Sequence, residues 1–168
     1  AKKAANEFLD SYAGTDSNAQ RWVAIVTFDG GYRTNMPWTN VAGDPSSAKR
    51  IITNLGYDTG TNMDGGLNQA LGLLDDSEVS GLTKSVVLLS DGAPTQRINS
   101  NWIQQSKENC DAAVNQANAI KNAGAKLYTV CFGATNESAY RNGPTVGNFL
   151  SGQVASQDSE NKYAYDAS

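Results

Sequence analysis

The chain has 168 residues, 39% hydrophobic and 18% charged, with 13 Lys+Arg against 17 Asp+Glu and no histidine. That length suits a single domain over 1–168 with chain enough for a core, and the apolar share lies above that of disordered chains. A net charge of −4 with scattered basic residues excludes a nucleic-acid footprint, and no apolar run approaches the roughly 18 residues of a membrane span. The missing histidine removes His-based triads and the usual zinc sites, so a metal bound here must be held by oxygens.

Lys2 to Tyr12 places Ala4, Ala5, Phe8, Leu9 and Tyr12 on one helical face. This helix has no N-cap, Pro or preceding loop, which reads as a start inside a larger element. Arg21–Phe28 is a β-rich run with little alternation, as in a strand covered on both faces. Asp29-Gly30-Gly31 signals a turn into a short partner strand, Tyr32–Trp38, which Pro37 keeps at an edge. Asp44 as N-cap and Pro45 at the first helical position open a helix through Ser46 to Asn54, with Gly56 just beyond.

A loop over 57–62 leads to a helix from about Met63 to Leu74, with Leu67, Leu71 and Leu74 on one side. Lys84–Ser90 reads as a buried parallel strand ended by Asp91-Gly92, and Ala93–Asn109 as mostly loop. A helix over Cys110–Asn122 follows, closed by Gly124. Then come a buried strand Ala125–Phe132, a short helix Thr145–Leu150, a polar loop and a last strand Lys162–Tyr165. Strands alternating with helices argue for a doubly wound, Rossmann-like α/β domain with a mostly parallel sheet flanked by helices. Ligands in such folds sit beyond the carboxyl ends of the strands.

Two loops at those ends carry hard oxygen groups. In Gly60-Thr61-Asn62-Met63-Asp64-Gly65-Gly66-Leu67 a hydroxyl leads into a helix, and in Ser90-Asp91-Gly92-Ala93-Pro94-Thr95 a carboxylate follows a strand. Thr61 and Asp91 either form part of a shell for a hard divalent cation or are structural, a helix cap and an Asx-type turn. Asp29 reads as a turn former. Tyr32, Trp38, Trp102 and Ile103 either pack on the sheet edge and helix tops or act as recognition anchors. The length of the 93–109 segment makes it the specificity-loop candidate.

Cys110 and Cys131 fit no metal or redox spacing, which leaves one disulfide or two buried thiols. Helix starts and strand ends share one edge of a parallel α/β domain, so the expectation is a disulfide and an extracytoplasmic location.

The strand Val23-Ala24-Ile25-Val26-Thr27-Phe28, the Thr61-Asn62-x-Asp64-Gly65-Gly66-Leu67 helix start and Lys84 to Thr95 resemble a von Willebrand factor type A domain. The likeness is to those of Gram-positive surface adhesins and pilus-tip proteins, and it runs over essentially the whole chain. The resemblance implies a metal-ion-dependent adhesion site with Thr61 as the second-loop hydroxyl ligand and Asp91 as the third-loop carboxylate. Mg²⁺ is the expected ion, with Mn²⁺ or Ca²⁺ as alternatives.

The family's first central strand and its Asp-x-Ser-x-Ser loop have no counterpart in this sequence. The expectation is therefore a sheet lacking a central strand, with two alternatives open: completion by a peptide or chain segment carrying that motif, or a sequence that simply begins downstream of it. The implied function is non-enzymatic. One form is a bacterial cell-surface module that adheres to a host or matrix protein through the cation. The alternative is a structural module of a pilus or cell-wall protein. No nucleophile elbow, P-loop or dinucleotide fingerprint argues otherwise.

Overall fold

The computed structural model of the protein describes residues 1–56, 58–100, 103–133, 135–158 and 163–167, with 166 and 167 described by backbone alone. Among the described residues five α-helices and five strands follow in the order α1 (Lys2–Ala13), β1 (Trp22–Phe28), β2 (Tyr32–Asn40), α2 (Ser46–Asn54), α3 (Met63–Leu74), β3 (Ser85–Ser90), α4 (Lys107–Asn122), β4 (Lys126–Phe132), α5 (Val146–Phe149) and β5 (Ala164–Ala167). The α/β, Rossmann-like architecture is as expected. Strand β5 sits later than the expected Lys162–Tyr165, and residue 162 lies outside the described residues.

The sheet is in two pieces. Strands β1 and β2 form an antiparallel pair, while β3, β4 and β5 form a separate parallel sheet in the order β3-β4-β5. Among the described residues no strand joins β1 to β3, so each keeps one unpaired edge. Each piece has its own core. Leu9, Ala13, Ile25, Met36, Val41, Ala48 and Ile52 gather α1 and α2 on the hairpin. Leu67, Leu88, Ala113, Ile120, Leu127 and Phe149 join α3, α4 and α5 to the parallel sheet.

Helix α3 seats the hairpin against the second unit. Its glycines allow the approach: a Cβ at Gly66 would stand 2.7 Å from Phe28 Cδ1, and one at Gly65 2.2 Å from Tyr32 Cδ1. The Trp38 indole N–H donates to Leu73 O at 2.8 Å and the Gln69 amide to Thr34 Oγ1 at 2.9 Å. Asn62 caps the helix, its Oδ1 accepting from Gly65 N at 3.1 Å.

Several local expectations are corrected. Helix α2 begins at Ser46, one residue late, although Asp44 Oδ1 still accepts the Ser46 N–H at 2.9 Å. Helix α4 begins at Lys107, three residues early, because Ser106 Oγ accepts the Asn109 N–H. Phe8, placed on the buried face of α1, is 48% exposed and stacks on Tyr12. The strand through Val86 and Leu89 is covered on one face only. Leu88, Leu127 and Cys131 are buried on the α4 side, while the alternating Val87 and Tyr165 are 37% and 44% exposed. Pro37 falls at a register shift of the hairpin, where a missing N–H removes no ladder bond.

Candidate functional site

The carboxyl ends of β1 and β3 meet the loop that enters α3. Asn62 N–H donates to Asp29 O, just past β1, at 2.7 Å. Thr95 and Gln96, just past β3, donate their N–H groups to Thr61 O at 3.0 and 3.3 Å. Thr61 N–H returns a bond to Thr95 Oγ1 at 2.8 Å. These bonds turn three loops into one rim. They also mean that β1 and β3, though unpaired, end at the same edge.

Most polar side chains on the rim are already committed. Asp29 Oδ1 accepts the Gly31 N–H at 2.7 Å, and its other oxygen lies 4.0 Å from Arg33, the turn-forming role expected of it. Ser90 Oγ donates to Gly92 O at 3.0 Å. Asn62 is spent on the helix cap. Among the described residues the Thr61 hydroxyl, the Asp91 carboxylate and the buried Gln96 Oε1 have no hydrogen-bond partner. Thr61 is half-buried and Asp91 exposed.

The pair suits a hard cation in kind and falls short in number. Mg²⁺ takes about six oxygens and Ca²⁺ about six to eight, and this pair offers one hydroxyl and one carboxylate. Among the described residues no three Asp, Glu, His or Cys side chains gather at a common point. A cation held by these two side chains alone would keep most of its waters.

Residues 95–98 and 104–109, after Asp91, are fixed by side chains whose partners lie far off in sequence or within the segment itself. The Asp64 carboxylate, buried in the first turn of α3, accepts the Ile98 N–H at 3.1 and 3.2 Å. Arg97 donates to Asn109 Oδ1 at 3.1 Å, and Asn109 donates to Gln104 O at 2.8 Å. Gln104 N–H in turn bonds Thr95 O at 2.8 Å. An acidic residue in a helix's first turn was the one readable hint of Asp64's place.

Burial pushes the Asp64 carboxyl above its ordinary range, against the opposing pull of backbone N–H groups and Arg97. A carboxyl raised in the folded state costs stability when ionised, and that cost disappears as pH falls through its folded pKa. The unfolding free energy of the wild type relative to Asp64→Ala is therefore expected to grow from about pH 7 to about pH 4. Urea titrations of both proteins at the two pH values check this; a shrinking difference would contradict it.

The expected anchors separate. The Tyr32 ring lies against Gly65, four residues from Thr61, and is 38% exposed. Ile103 is 58% exposed beside Gln104, which is tied to the rim through Thr95. Trp38 does not join them, because its indole is bonded to Leu73, near the far end of α3. Trp102 lies outside the described residues.

The expected disulfide is also corrected. Cys110 and Cys131 are two buried thiols. Cys110, on the fourth residue of α4, points its Sγ at Ala139 O, 4.0 Å away. Desolvation chiefly, with Asp111 adding and Lys107 opposing, pushes its thiol up to about 12, which keeps it protonated and unreactive.

The Thr61 hydroxyl and the Asp91 carboxylate thus stand where strand ends meet a helix start in an α/β fold. The sequence matches the family described as the von Willebrand factor type A domain over residues 1–93, more than half of its 168 residues, and the chain belongs to that family. Comparison with curated protein sequences gives no match.

Solved structures share the fold. The vWF domain of the type V pili tip protein Mfa5 from Porphyromonas gingivalis superposes with a TM-score of 0.73 at 14% identity, over 99% of this chain and 79% of that one. The pilus adhesin SpaC from Lactobacillus rhamnosus GG, in its open conformation, gives 0.72 at 18% identity over 99% and 25%. Proximal thread matrix protein 1 from the mussel byssus, with a zinc-occupied MIDAS motif, gives 0.66 at 16% identity over 98% and 35%. The chain thus spans about a quarter to a third of the last two. Among the described residues no helix is long and apolar enough to cross a membrane.

Proposed function

We propose that this chain is a cell-surface protein-binding module in which a divalent cation bridges the rim and a partner protein. The Thr61 hydroxyl and Asp91 carboxylate hold the ion, Mg²⁺ by preference with Mn²⁺ or Ca²⁺ as substitutes. A carboxylate from a host or matrix protein then replaces one of its waters. The observation that carries this reading is selective: the two matched positions are uncommitted and open to solvent, on a rim where Asp29, Asn62, Asp64 and Ser90 are all engaged and the Gln96 amide oxygen is buried. Tyr32 and Ile103 supply apolar surface beside the ion. The pilus-tip setting of structural neighbours supports an extracellular, cell-surface location. Adhesion of the chain to immobilised matrix protein in Mg²⁺ and in EDTA tests it. Binding that persists in EDTA would contradict it.

A second reading rests on a different observation, the unpaired edges of β1 and β3. In it the module is structural and is completed by a strand from another segment or chain. Because β1 and β3 end at one rim, a strand running parallel to both would bring its C-terminal residues beside Thr61 and Asp91. An apolar peptide ending in Asp-x-Ser-x-Ser is expected to raise the Tm of this chain by several degrees, on the order of 5 °C. An unchanged Tm at saturating peptide would remove this reading.

A further inference from the structure

Gln96 sits five residues past Asp91, where the three rim loops come together. The residue is 8% exposed, and its Oε1 is buried without a hydrogen-bond partner. Its amide is pressed between glycines of the two other loops. A Cβ at Gly60 would stand 2.2 Å from Oε1, and one at Gly30 would stand 3.0 Å from it and 2.9 Å from Thr59 O. Gly60 also has φ +94°, a conformation that side-chain-bearing residues rarely adopt. The Gln96 backbone N–H meanwhile donates to Thr61 O. One residue of the third loop thus bears on the loop of Asp29 and on the loop of Thr61.

The chemistry of this wedge is unfavourable for stability alone. A buried amide oxygen without a donor forfeits the water it left behind, and native folds keep such groups rarely. A methionine has nearly the same length and would fill the space without that loss. We infer that Gln96 is a positioning residue: its side chain holds the loops of Asp29, Thr61 and Asp91 at their mutual spacing, at the expense of the fold's stability. The spacing matters to the cation through Thr61 and Asp91, and in that step alone the inference rests on the proposed function.

Gln96→Ala removes the wedge, and Gln96→Met keeps its bulk without the amide. Amide exchange, Tm and Mn²⁺ titration on the whole chain separate the possibilities. In Gln96→Ala the Thr61 and Asn62 amides are expected to exchange at least about tenfold faster, while Leu127 and Thr129 in β4 are unchanged. Slow β4 exchange also certifies that this variant folds. Gln96→Met is expected to keep slow exchange at Thr61 and Asn62 and to raise the metal-free Tm by about 4 °C. Mn²⁺ affinity is expected to fall about tenfold in Gln96→Ala and to be restored in Gln96→Met.

Unchanged exchange at Thr61 and Asn62 in Gln96→Ala would overturn the inference, as would a lower Tm in Gln96→Met. A wild type that takes up no Mn²⁺ would instead defeat the cation reading, with the exchange and Tm results still deciding the wedge.

Discussion

Asp91→Ala is expected to reduce the chain's affinity for Mn²⁺ by about a hundredfold or more, to below detection, while leaving its unfolding free energy within about 0.5 kcal/mol. Outer-shell partners alone are worth roughly tenfold to a hundredfold in metal affinity, so a direct carboxylate sets a larger effect. It is also the single anionic ligand in the proposed pair, and without it a neutral hydroxyl has little hold on a hydrated dication. The fold does not depend on it, because the side chain is exposed and has no hydrogen-bond partner among the described residues. Thermal melts and Mn²⁺ titrations of the same samples check both halves. A large fall in Tm would show that Asp91 is structural after all, a turn former like Asp29.

Phe149→Ala has the largest expected effect on stability, about 3–5 kcal/mol. Phe149 is 0% exposed and lies in the core shared by α3, α4 and the parallel sheet. It is delivered there by a short turn: Thr145 Oγ1 accepts the Asn148 N–H at 3.2 Å, and the following π-turn Leu150–Val154 brings Leu150 and Val154 into the same core. Neighbours fixed in this way cannot collapse fully into the space left behind, so a cavity adds to the lost transfer free energy. Domains of this size are stable by about 5–15 kcal/mol, which makes the loss a large share of the total. Urea unfolding with an unchanged m-value measures it. Phe8→Ala, at a 48% exposed position, is the control expected to stay within about 1 kcal/mol.

The contrast between these two phenylalanines illustrates what was legible. Both stand in stretches read as helical, and periodicity assigned Phe8 to the covered face of α1. Which residues are covered depends on what packs there: α1 lays Leu9, Ala5 and Tyr12 of the expected face, and Ala13 beside them, against α2 and the hairpin, and leaves Phe8 outside. The same limit applies to the strand through Val87, whose unbroken apolar run signals burial on both faces while one face stays open. The alternation of elements was readable because it follows local periodicity and turn chemistry, with errors of one to three residues at the starts of α2 and α4.

At the rim, the places of Thr61 before α3 and of Asp91 after β3 were readable through their motifs. The residues that hold the loops were not, because their partners are remote in sequence. Asp64 bonds Ile98, and Gln96 wedges Gly30 against Gly60, across separations that no local pattern carries. The cysteines fail for a related reason. Sharing an edge of the fold is necessary for a disulfide, but α4 turns Cys110 toward Ala139 rather than toward Cys131.

The central claim is that Thr61 and Asp91 together hold a divalent cation. Mn²⁺ titration followed by electron paramagnetic resonance, run on the wild type, Thr61→Ala and Asp91→Ala, tests it most directly. The account predicts one saturable Mn²⁺ site in the wild type, of modest affinity on the order of 1 mM with only two protein ligands, and its loss in both variants. A wild type that binds no Mn²⁺, or variants that bind it as well as the wild type, would contradict the account.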